Sequence, residues 1–299
     1  MEDERIAYIY LALTILLWSA TPAVAKLGLA EINNMQMLFY NSIVAVVSLS
    51  ALVLIQNKQR AFSDYSKEDY LKMFGMGFLG LYLYYILLYG SFSMAPAGET
   101  NMINYLWPVF VVLFSILILK EKATLKTFIA MFLSFAGAVI IFTRGDFSGL
   151  QNGYTSGYLL ALGAAACYGL FSVVGKKLNY EKFTSMLVFY ISALILVTLT
   201  MLVFSKFVIP HSATTWLAIL FLGGLANSLG SVFWFKALEK GKTHSLANLI
   251  YVTPFLALVY VFFLNGEVIP TISIMGLVLI VVGILVQLGG GIKNTKAQR

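Results

Sequence analysis

Two short segments of the chain each combine amides, a phenol and a proline inside an apolar run. On a helix turning about 100° per residue, the segment around "NYLWP" (104–108) places four side chains on one face: Asn101, Asn104, Tyr105 and Pro108. In the second segment the shared face carries His244, Asn248, Tyr251 and Pro254. Facing lipid would leave their hydrogen bonds unmade at a cost in free energy. We therefore expect both faces to line the bundle interior or a cavity, where they would bind a polar solute.

The two prolines add acceptors of their own. Each lacks an N–H, so Pro108 frees the carbonyl of Asn104 and Pro254 frees that of Ile250. These kinks are candidates for gating. The alternative is that the prolines only bend two helices for packing and the asparagines only bond between helices. Their occurrence at matched places in the two halves of the chain favours cavity lining.

Aromatic residues within the apolar runs are candidate contacts for a flat or amphiphilic solute, through ring packing and cation–π attraction. The candidates are Trp18, Tyr82, Tyr105, Trp107, Tyr168, Trp234 and Tyr251. A belt at the membrane surface is the usual place for tyrosine. In "LYLYYILLYG" (81–90) that explanation suits Tyr89 and does not suit Tyr82, nearer the middle of its run. Tyr82, Tyr85 and Tyr89 share a helical face, and Tyr84 is expected to point elsewhere.

Glu99 is the one acid placed inside a predicted helix and away from its inner end. As a coupling carboxylate it would bind and release a proton as solute passes. The alternative is a place in the first turn of a helix that begins at Pro96, where a negative charge favours the helix dipole. The second interpretation is the favoured one.

Few residues suit catalysis or metal binding. Cys167 is the single cysteine, and His211 and His244 lie in different segments, which leaves no zinc-ligand set. An intramembrane enzyme would need a nucleophile with a base, and His244 with a distant Glu99 does not supply one. We expect no enzymatic activity, no metal and no cofactor.

The elements that must position these residues follow from composition. Charged residues make up 11% of the chain against roughly 25% in soluble domains. Ten apolar runs are long enough to cross a bilayer as helices, at 6–29, 34–55, 70–92, 97–119, 125–143, 155–175, 184–208, 214–238, 245–264 and 269–288. Helices satisfy their own backbone groups in lipid. The fold class is therefore an all-α polytopic membrane protein with ten transmembrane helices.

The net charge of +7 is a topology signal. With loops alternating from an inner N-terminus, 17 of the 20 Lys and Arg fall inside, and Lys26, Arg144 and Lys206 fall outside. This distribution predicts a cell (inner) membrane protein with both termini in the cytoplasm, and it argues against nucleic-acid binding. The acidic start "EDE" favours a first membrane helix over a signal peptide.

The chain reads as two copies of one unit, 1–147 and 148–299. Their alignment pairs Trp18 with Tyr168, Val24 with Val174, Lys26 with Lys176, Tyr105 with Tyr251, Pro108 with Pro254, Glu121 with Glu267 and Gly137 with Gly283. Five helices per copy is an odd number, so the second copy must be inverted in the membrane. Inverted repeats are typical of secondary transporters, with a solute site near midplane and alternating access.

The fifth and tenth predicted helices differ from the others, since they are almost wholly aliphatic. Each carries small residues seven apart: Ala130 and Gly137, then Gly276 and Gly283. Small residues allow close helix approach. We expect these two helices to be packing or dimer elements and not cavity walls.

The residues together resemble a known family. The inverted five-plus-five arrangement, Trp18 and Lys26 on the first helix, and Pro108 leading through a short apolar run into Glu121 are similar to the drug/metabolite transporter superfamily, EamA type. "ETNMINYLWP" (99–108) resembles more closely the branch containing aromatic amino acid exporters. The resemblance implies a central cavity among helices one to four and six to nine. The second half shows only "YVTP" (251–254) of such a motif.

The expected function is a secondary transporter that exports aromatic or neutral amino acids, or similar small amphiphiles, through a central cavity. A nucleotide-sugar or multidrug carrier of the same superfamily is the alternative; the absence of a midplane Arg or Lys disfavours the nucleotide-sugar form. The expected partners are the solute and the bilayer, with the chain as a monomer or homodimer.

Overall fold

The computed structural model describes residues 2–95, 100, 103–143, 145–146, 154–205, 207–266 and 271–296. All regular elements within these ranges are helices. Among the described residues, seven helical spans are long and apolar enough to cross a membrane, and some of these spans join two or three of the elements named below. Three further helices are apolar but shorter, at Trp107–Leu119, Leu125–Ile141 and Ile272–Val286. The expectation of an all-α polytopic membrane protein is confirmed at this level.

The helices are α1 (Glu2–Gly28), α2 (Asn34–Ile55), α3 (Lys67–Gly77), α4 (Tyr84–Met94), α5 (Trp107–Leu119), α6 (Leu125–Thr143), α7 (Thr155–Leu178), α8 (Lys182–Phe204), α9 (Ala213–Leu220), α10 (Gly230–Lys240), α11 (Thr243–Leu249), α12 (Val252–Asn265) and α13 (Ile272–Lys296). A short 3₁₀ helix, Gln59–Asp64, lies in the connection between α2 and α3. Reciprocal caps fix two helix starts: Asn33 with Gln36 before α2, and Ser66 with Asp69 before α3.

Two membrane spans contain π-helical segments. Phe78–Leu83 joins α3 to α4, and Phe221–Leu229 joins α9 to α10. The wider i→i+5 turn of a π-helix shifts the angular register of everything that follows it. The sequence periodicity assumed a regular α-helix throughout these spans, so the predicted faces do not carry across them.

Two further spans are interrupted near their prolines. Turns with i→i+3 hydrogen bonds replace the α-helical bonding at Tyr105 and Leu106, ahead of α5, and at Ile250 and Tyr251, between α11 and α12. Pro108 and Pro254 then lie in the first turns of α5 and α12. Proline lacks the N–H for an i→i−4 bond and clashes with that carbonyl, so a new helix begins there more readily than an old one continues. The sequence prediction assumed continuous helices through 101–108 and 244–254, whereas the described part of each segment is interrupted one turn or less before its proline.

Helices α6 and α13, the fifth and tenth predicted helices, pack against each other. A Cβ added to Gly137 would lie 2.4 Å from the Gly276 carbonyl oxygen, and one added to Gly283 would lie 2.7 Å from the Ala130 carbonyl oxygen. Small residues are required at these crossing points because the backbones approach this closely. The small-residue faces of α6 and α13 therefore pack against each other within a single chain.

Helices from the two ends of the sequence pack on one another. Helix α1 packs against α10 and α12, α2 and α3 pack against α8, and α4 and α5 pack against α7. The interface between residues 1–147 and 148–299 is therefore built from most of the helices in each. Any solute pathway between these two segments is lined by both of them.

Candidate functional site

Four large rings meet inside the bundle, and we call Trp18, Trp107, Tyr168 and Trp234 the aromatic cluster. They come from α1, α5, α7 and α10. The ring centroids of Trp107 and Tyr168 are 5.1 Å apart, those of Trp107 and Trp234 5.5 Å, and Trp18 lies 6.0–6.1 Å from each of the other three. Most of these contacts are edge-to-face, the arrangement aromatic rings prefer.

Hydrogen bonds fix two rings of the aromatic cluster. Trp18 donates from Nε1 to the Ala226 carbonyl oxygen at 3.0 Å, within the second π-helical segment. Trp234, fully buried, donates from Nε1 to Ser172 Oγ at 3.0 Å. Trp18 and Tyr168 are only half-buried, whereas Trp107 is 6% exposed. The aromatic cluster therefore has a rigid buried side and a side with accessible ring surface.

Polar groups adjoin the aromatic cluster. Asn104 donates from Nδ2 to the Tyr84 hydroxyl at 3.2 Å, and the Tyr84 ring lies 5.0 Å from that of Tyr168. Asn104 is 5% exposed, and its Oδ1 has no hydrogen-bond partner among the described residues. Pro108 supplies no N–H to the Asn104 carbonyl. A buried amide oxygen without a donor is a vacant acceptor, suited to an ammonium or hydroxyl group.

The position of Tyr84 corrects a sequence prediction. Tyr84 was expected to point away from the candidate face, yet it is the tyrosine of its segment that meets both Asn104 and Tyr168. Tyr82 instead shares a 2.6 Å hydrogen bond with the Thr200 hydroxyl on α8. The π-helical segment ending at Leu83 explains the change, because it rotates the residues after it relative to an α-helix.

The breaks ahead of Pro108 and Pro254 touch each other. Tyr251 donates from its hydroxyl to the Tyr105 carbonyl oxygen at 3.1 Å. Tyr251 is 0% exposed, with its ring against Phe135, while Tyr105 is half-buried. The two predicted tyrosines are thus brought together, but only Tyr105 has accessible surface.

Asn248 and His244 lie apart from the aromatic cluster. Asn248 is fully buried and donates from Nδ2 to the Gly283 carbonyl oxygen on α13 at 3.4 Å, so it faces the helix expected to be peripheral. His244 lies at the start of α11 beside Glu121. Glu99 and Asn101 lie outside the described residues.

A second group of side chains contains one predicted site residue, His244, and three that were not predicted; we call Glu121, Lys176, Thr243 and His244 the polar cluster. Glu121 Oε1 accepts hydrogen bonds from Lys176 Nζ at 2.8 Å and from Thr243 Oγ1 at 2.7 Å. Lys176 Nζ also donates to the Gly241 carbonyl oxygen at 3.0 Å. His244 Nδ1 is 3.8 Å from Glu121 Oε2.

The polar cluster controls the charge of Glu121, which follows α5 outside the membrane-spanning segments. Burial acts to raise the pKa of this carboxyl. The side chains of His244, Lys176 and Thr243 outweigh that effect and lower the pKa to about 2. Glu121 is therefore an anion throughout the physiological range. The repeat alignment pairs Lys26 with Lys176 and Glu121 with Glu267, and so it marks these four positions in the sequence. It does not say which of them are in contact in the structure.

Comparisons with known proteins give consistent results. An uncharacterized transporter of Archaeoglobus fulgidus is 23% identical over 93% of this chain and 95% of its own length. The pseudopaline exporter CntI of Pseudomonas aeruginosa is 25% identical over 89% of each chain. The aromatic amino acid exporter YddG of Ancylobacter novellus is 26% identical over 60% of this chain and 63% of its own length.

A solved crystal structure at 22% sequence identity superposes with a TM-score of 0.85 over 96% of each chain, which shows a shared fold. The profile of the EamA-like transporter family matches this sequence twice, over residues 5–143 and 155–289. The two matches together cover nearly all of the chain. With its helices and its relatives in agreement, this chain belongs to the EamA-like transporter family.

Proposed function

We propose that this transporter exports aromatic or other neutral amino acids, or similar small amphiphilic metabolites, across the cell membrane. The aromatic cluster carries the proposal, because four large rings from four helices meet where a flat side chain would find edge-to-face partners. Two relatives are named as exporters, one of aromatic amino acids and one of pseudopaline, and their similarity supports export as the direction.

The proposed mechanism is alternating access between two inverted five-helix repeats, 1–147 and 148–299, with ten transmembrane helices in all. The twofold match of the family profile supports the repeat. So do two residue pairs that the repeat alignment equates: Trp18 with Tyr168, and Tyr105 with Tyr251, each pair in contact across the halves. Residues close to a pseudo-twofold axis are expected to meet their equivalents in this way.

The proposed pocket assigns different roles to its residues. Trp18, Trp107 and Tyr168 contact the apolar part of the solute, and Trp234 holds the cluster from behind. The Asn104 amide oxygen accepts a hydrogen bond from the solute's ammonium group, since its own acceptor site is vacant. Tyr105 lies beside this acceptor with its ring partly exposed. The breaks ahead of Pro108 and Pro254 are the points at which the halves change their relative position.

Other predicted residues keep more distant roles. Tyr82 is assigned to helix packing because its hydroxyl shares a hydrogen bond with Thr200, and Asn248 because its Nδ2 donates to the Gly283 carbonyl oxygen on α13. Asn248 Oδ1 has no hydrogen-bond partner among the described residues. Asn101 is proposed as a pocket residue, and Glu99 as a candidate coupling residue, from the sequence alone. Both halves of the pathway come from one chain, so a single chain is the proposed transport unit in a monomer or in a homodimer.

The substrate is tested by counterflow in proteoliposomes. Vesicles loaded with unlabelled phenylalanine should transiently accumulate labelled phenylalanine, and aromatic amino acids should compete about tenfold better than threonine because they contact the aromatic cluster. Pseudopaline, a nucleotide sugar and a hydrophobic cation belong in the same panel. Competition by one of these without any by amino acids would contradict the proposed substrate and favour the corresponding carrier.

We propose that both termini are cytoplasmic, in keeping with the 17 to 3 charge distribution. Two exposed positions test this orientation in a Cys167→Ala background: His211→Cys, before α9, and Ser63→Cys, between α2 and α3. An impermeant maleimide added to intact cells should label the first variant and reach the second only after lysis. The reverse pattern would invert the topology.

A further inference from the structure

The polar cluster joins residues from both halves of the chain at one end of the bundle. Glu121 belongs to the first half, while Lys176, Thr243 and His244 belong to the second. This end also carries the N-terminus, because a Cβ at Gly241 would lie 3.0 Å from that of Ala7. In the proposed orientation it is the cytoplasmic end.

The hydrogen bonding of the polar cluster is incomplete on one side. Glu121 Oε1 accepts two bonds, but Oε2 is buried and accepts none from the described residues. Facing it at 3.8 Å is His244 Nδ1, which is also buried and likewise without a hydrogen-bond partner there. Leaving two such atoms unpaired costs free energy. The described bonds that hold Glu121 between the halves are therefore those of Oε1.

The polar cluster lies in line with the aromatic cluster. Lys176 and Tyr168 are on the same helix, α7, and at a rise of about 1.5 Å per residue their Cα atoms are separated by about 12 Å along its axis. The end of α5 and the start of α11, which carry Glu121 and Thr243, converge on the same point. The polar cluster therefore lies about two turns of α7 beyond the aromatic cluster, toward this end.

We propose that the polar cluster is a gate at the cytoplasmic end of the pathway, and that the bonds of Glu121 to Lys176 and Thr243 hold it closed. This inference rests on the proposed transport function, because a gate between the halves requires a solute path between them. Opening requires Glu121 to leave Lys176 and Thr243, since these bonds connect the two halves directly.

Spin-label distances test the gate without any substrate. Lys122→Cys and Lys177→Cys, both exposed and flanking the polar cluster from the two halves, carry the labels in a Cys167→Ala background. In full-length protein in nanodiscs, Glu121→Gln should raise the ratio of long to short distances about tenfold, because it removes charge-assisted hydrogen bonds. Glu68→Gln is the matched control, since Glu68 pairs with Lys72 within a single helix. It should change the ratio less than twofold. A ratio in Glu121→Gln equal to that of Glu68→Gln would overturn the gate.

Two further readouts keep the test decisive. If Glu121→Gln yields little folded protein, Thr243→Val removes one bond to the same oxygen and should raise the ratio about threefold; no increase there would also overturn the gate. Counterflow in the same variants separates the two proposals. If counterflow failed for every amino acid but the spin-label distances still changed in these variants, the proposed substrate would be wrong and the proposed gate would stand.

Discussion

Replacing Tyr168 with alanine should raise the phenylalanine concentration for half-maximal counterflow at least tenfold, with threonine affected less than threefold. Tyr168 lies at the centre of the aromatic cluster, with ring centroids of Trp107, Tyr84 and Phe171 within 5.8 Å. An aromatic pair contributes about 0.5–1.5 kcal/mol beyond the area it buries, and the lost ring area adds to this. Threonine offers no ring, so it loses little.

Two companion variants separate solute contact from folding. Tyr168→Phe keeps the ring and should keep the phenylalanine preference. Phe263→Ala removes a ring that is 75% exposed on the outer face of α12, and it should leave transport unchanged. Binding of labelled phenylalanine to purified protein gives the same comparison without transport. Equal losses for phenylalanine and threonine in Tyr168→Ala would assign Tyr168 to packing alone.

Much of the fold could be predicted from composition, because a helix is the solution open to long apolar runs in lipid. The close approach of α6 to α13 was also predictable, since small residues such as Gly137 and Gly276 mark such crossings wherever they recur. The pairing of Trp18 with Tyr168 came from self-similarity, and the structure brings these two rings together. The apolar runs and the small-residue spacing can be recognised from neighbouring residues, and the pairing of Trp18 with Tyr168 from the similarity between the halves.

The features that escaped prediction depend on irregular backbone or on distant partners. The direction of Tyr84 was predicted wrongly because the segment "FLGLYL" (78–83) carries no sequence signal for a π-helical turn. The breaks at Tyr105 and Tyr251 were predicted as kinks in continuous helices, and the sequence carries no signal for the bond from Asn248 to Gly283. Glu121 and Lys176 are 55 residues apart, and their meeting depends on how the halves pack. Tertiary geometry decides such contacts.

The two tyrosines that the repeat equates should respond differently to substitution. Tyr251 is 0% exposed, packs on Phe135 and donates to the Tyr105 carbonyl oxygen, so Tyr251→Ala leaves a cavity and an unpaired carbonyl. Loss of a buried aromatic ring costs about 3–5 kcal/mol, and we expect the unfolding temperature in detergent to fall markedly. Tyr105 is half-buried, so Tyr105→Ala should lower that temperature less than Tyr251→Ala does, and it should lower the selectivity for phenylalanine.

Tyr251→Phe serves as the control that divides the effect at Tyr251 between its ring and its hydroxyl. It keeps the ring and removes one hydrogen bond, and such bonds within membranes contribute about 0.6 kcal/mol on average. Its unfolding temperature should therefore lie close to that of the parent protein. Thermal unfolding of the three variants, followed by tryptophan fluorescence, checks this order. If Tyr251→Ala unfolded at the parent temperature and changed only selectivity, Tyr251 would be a pocket residue, and the contact between the two helix breaks would not stabilise the bundle.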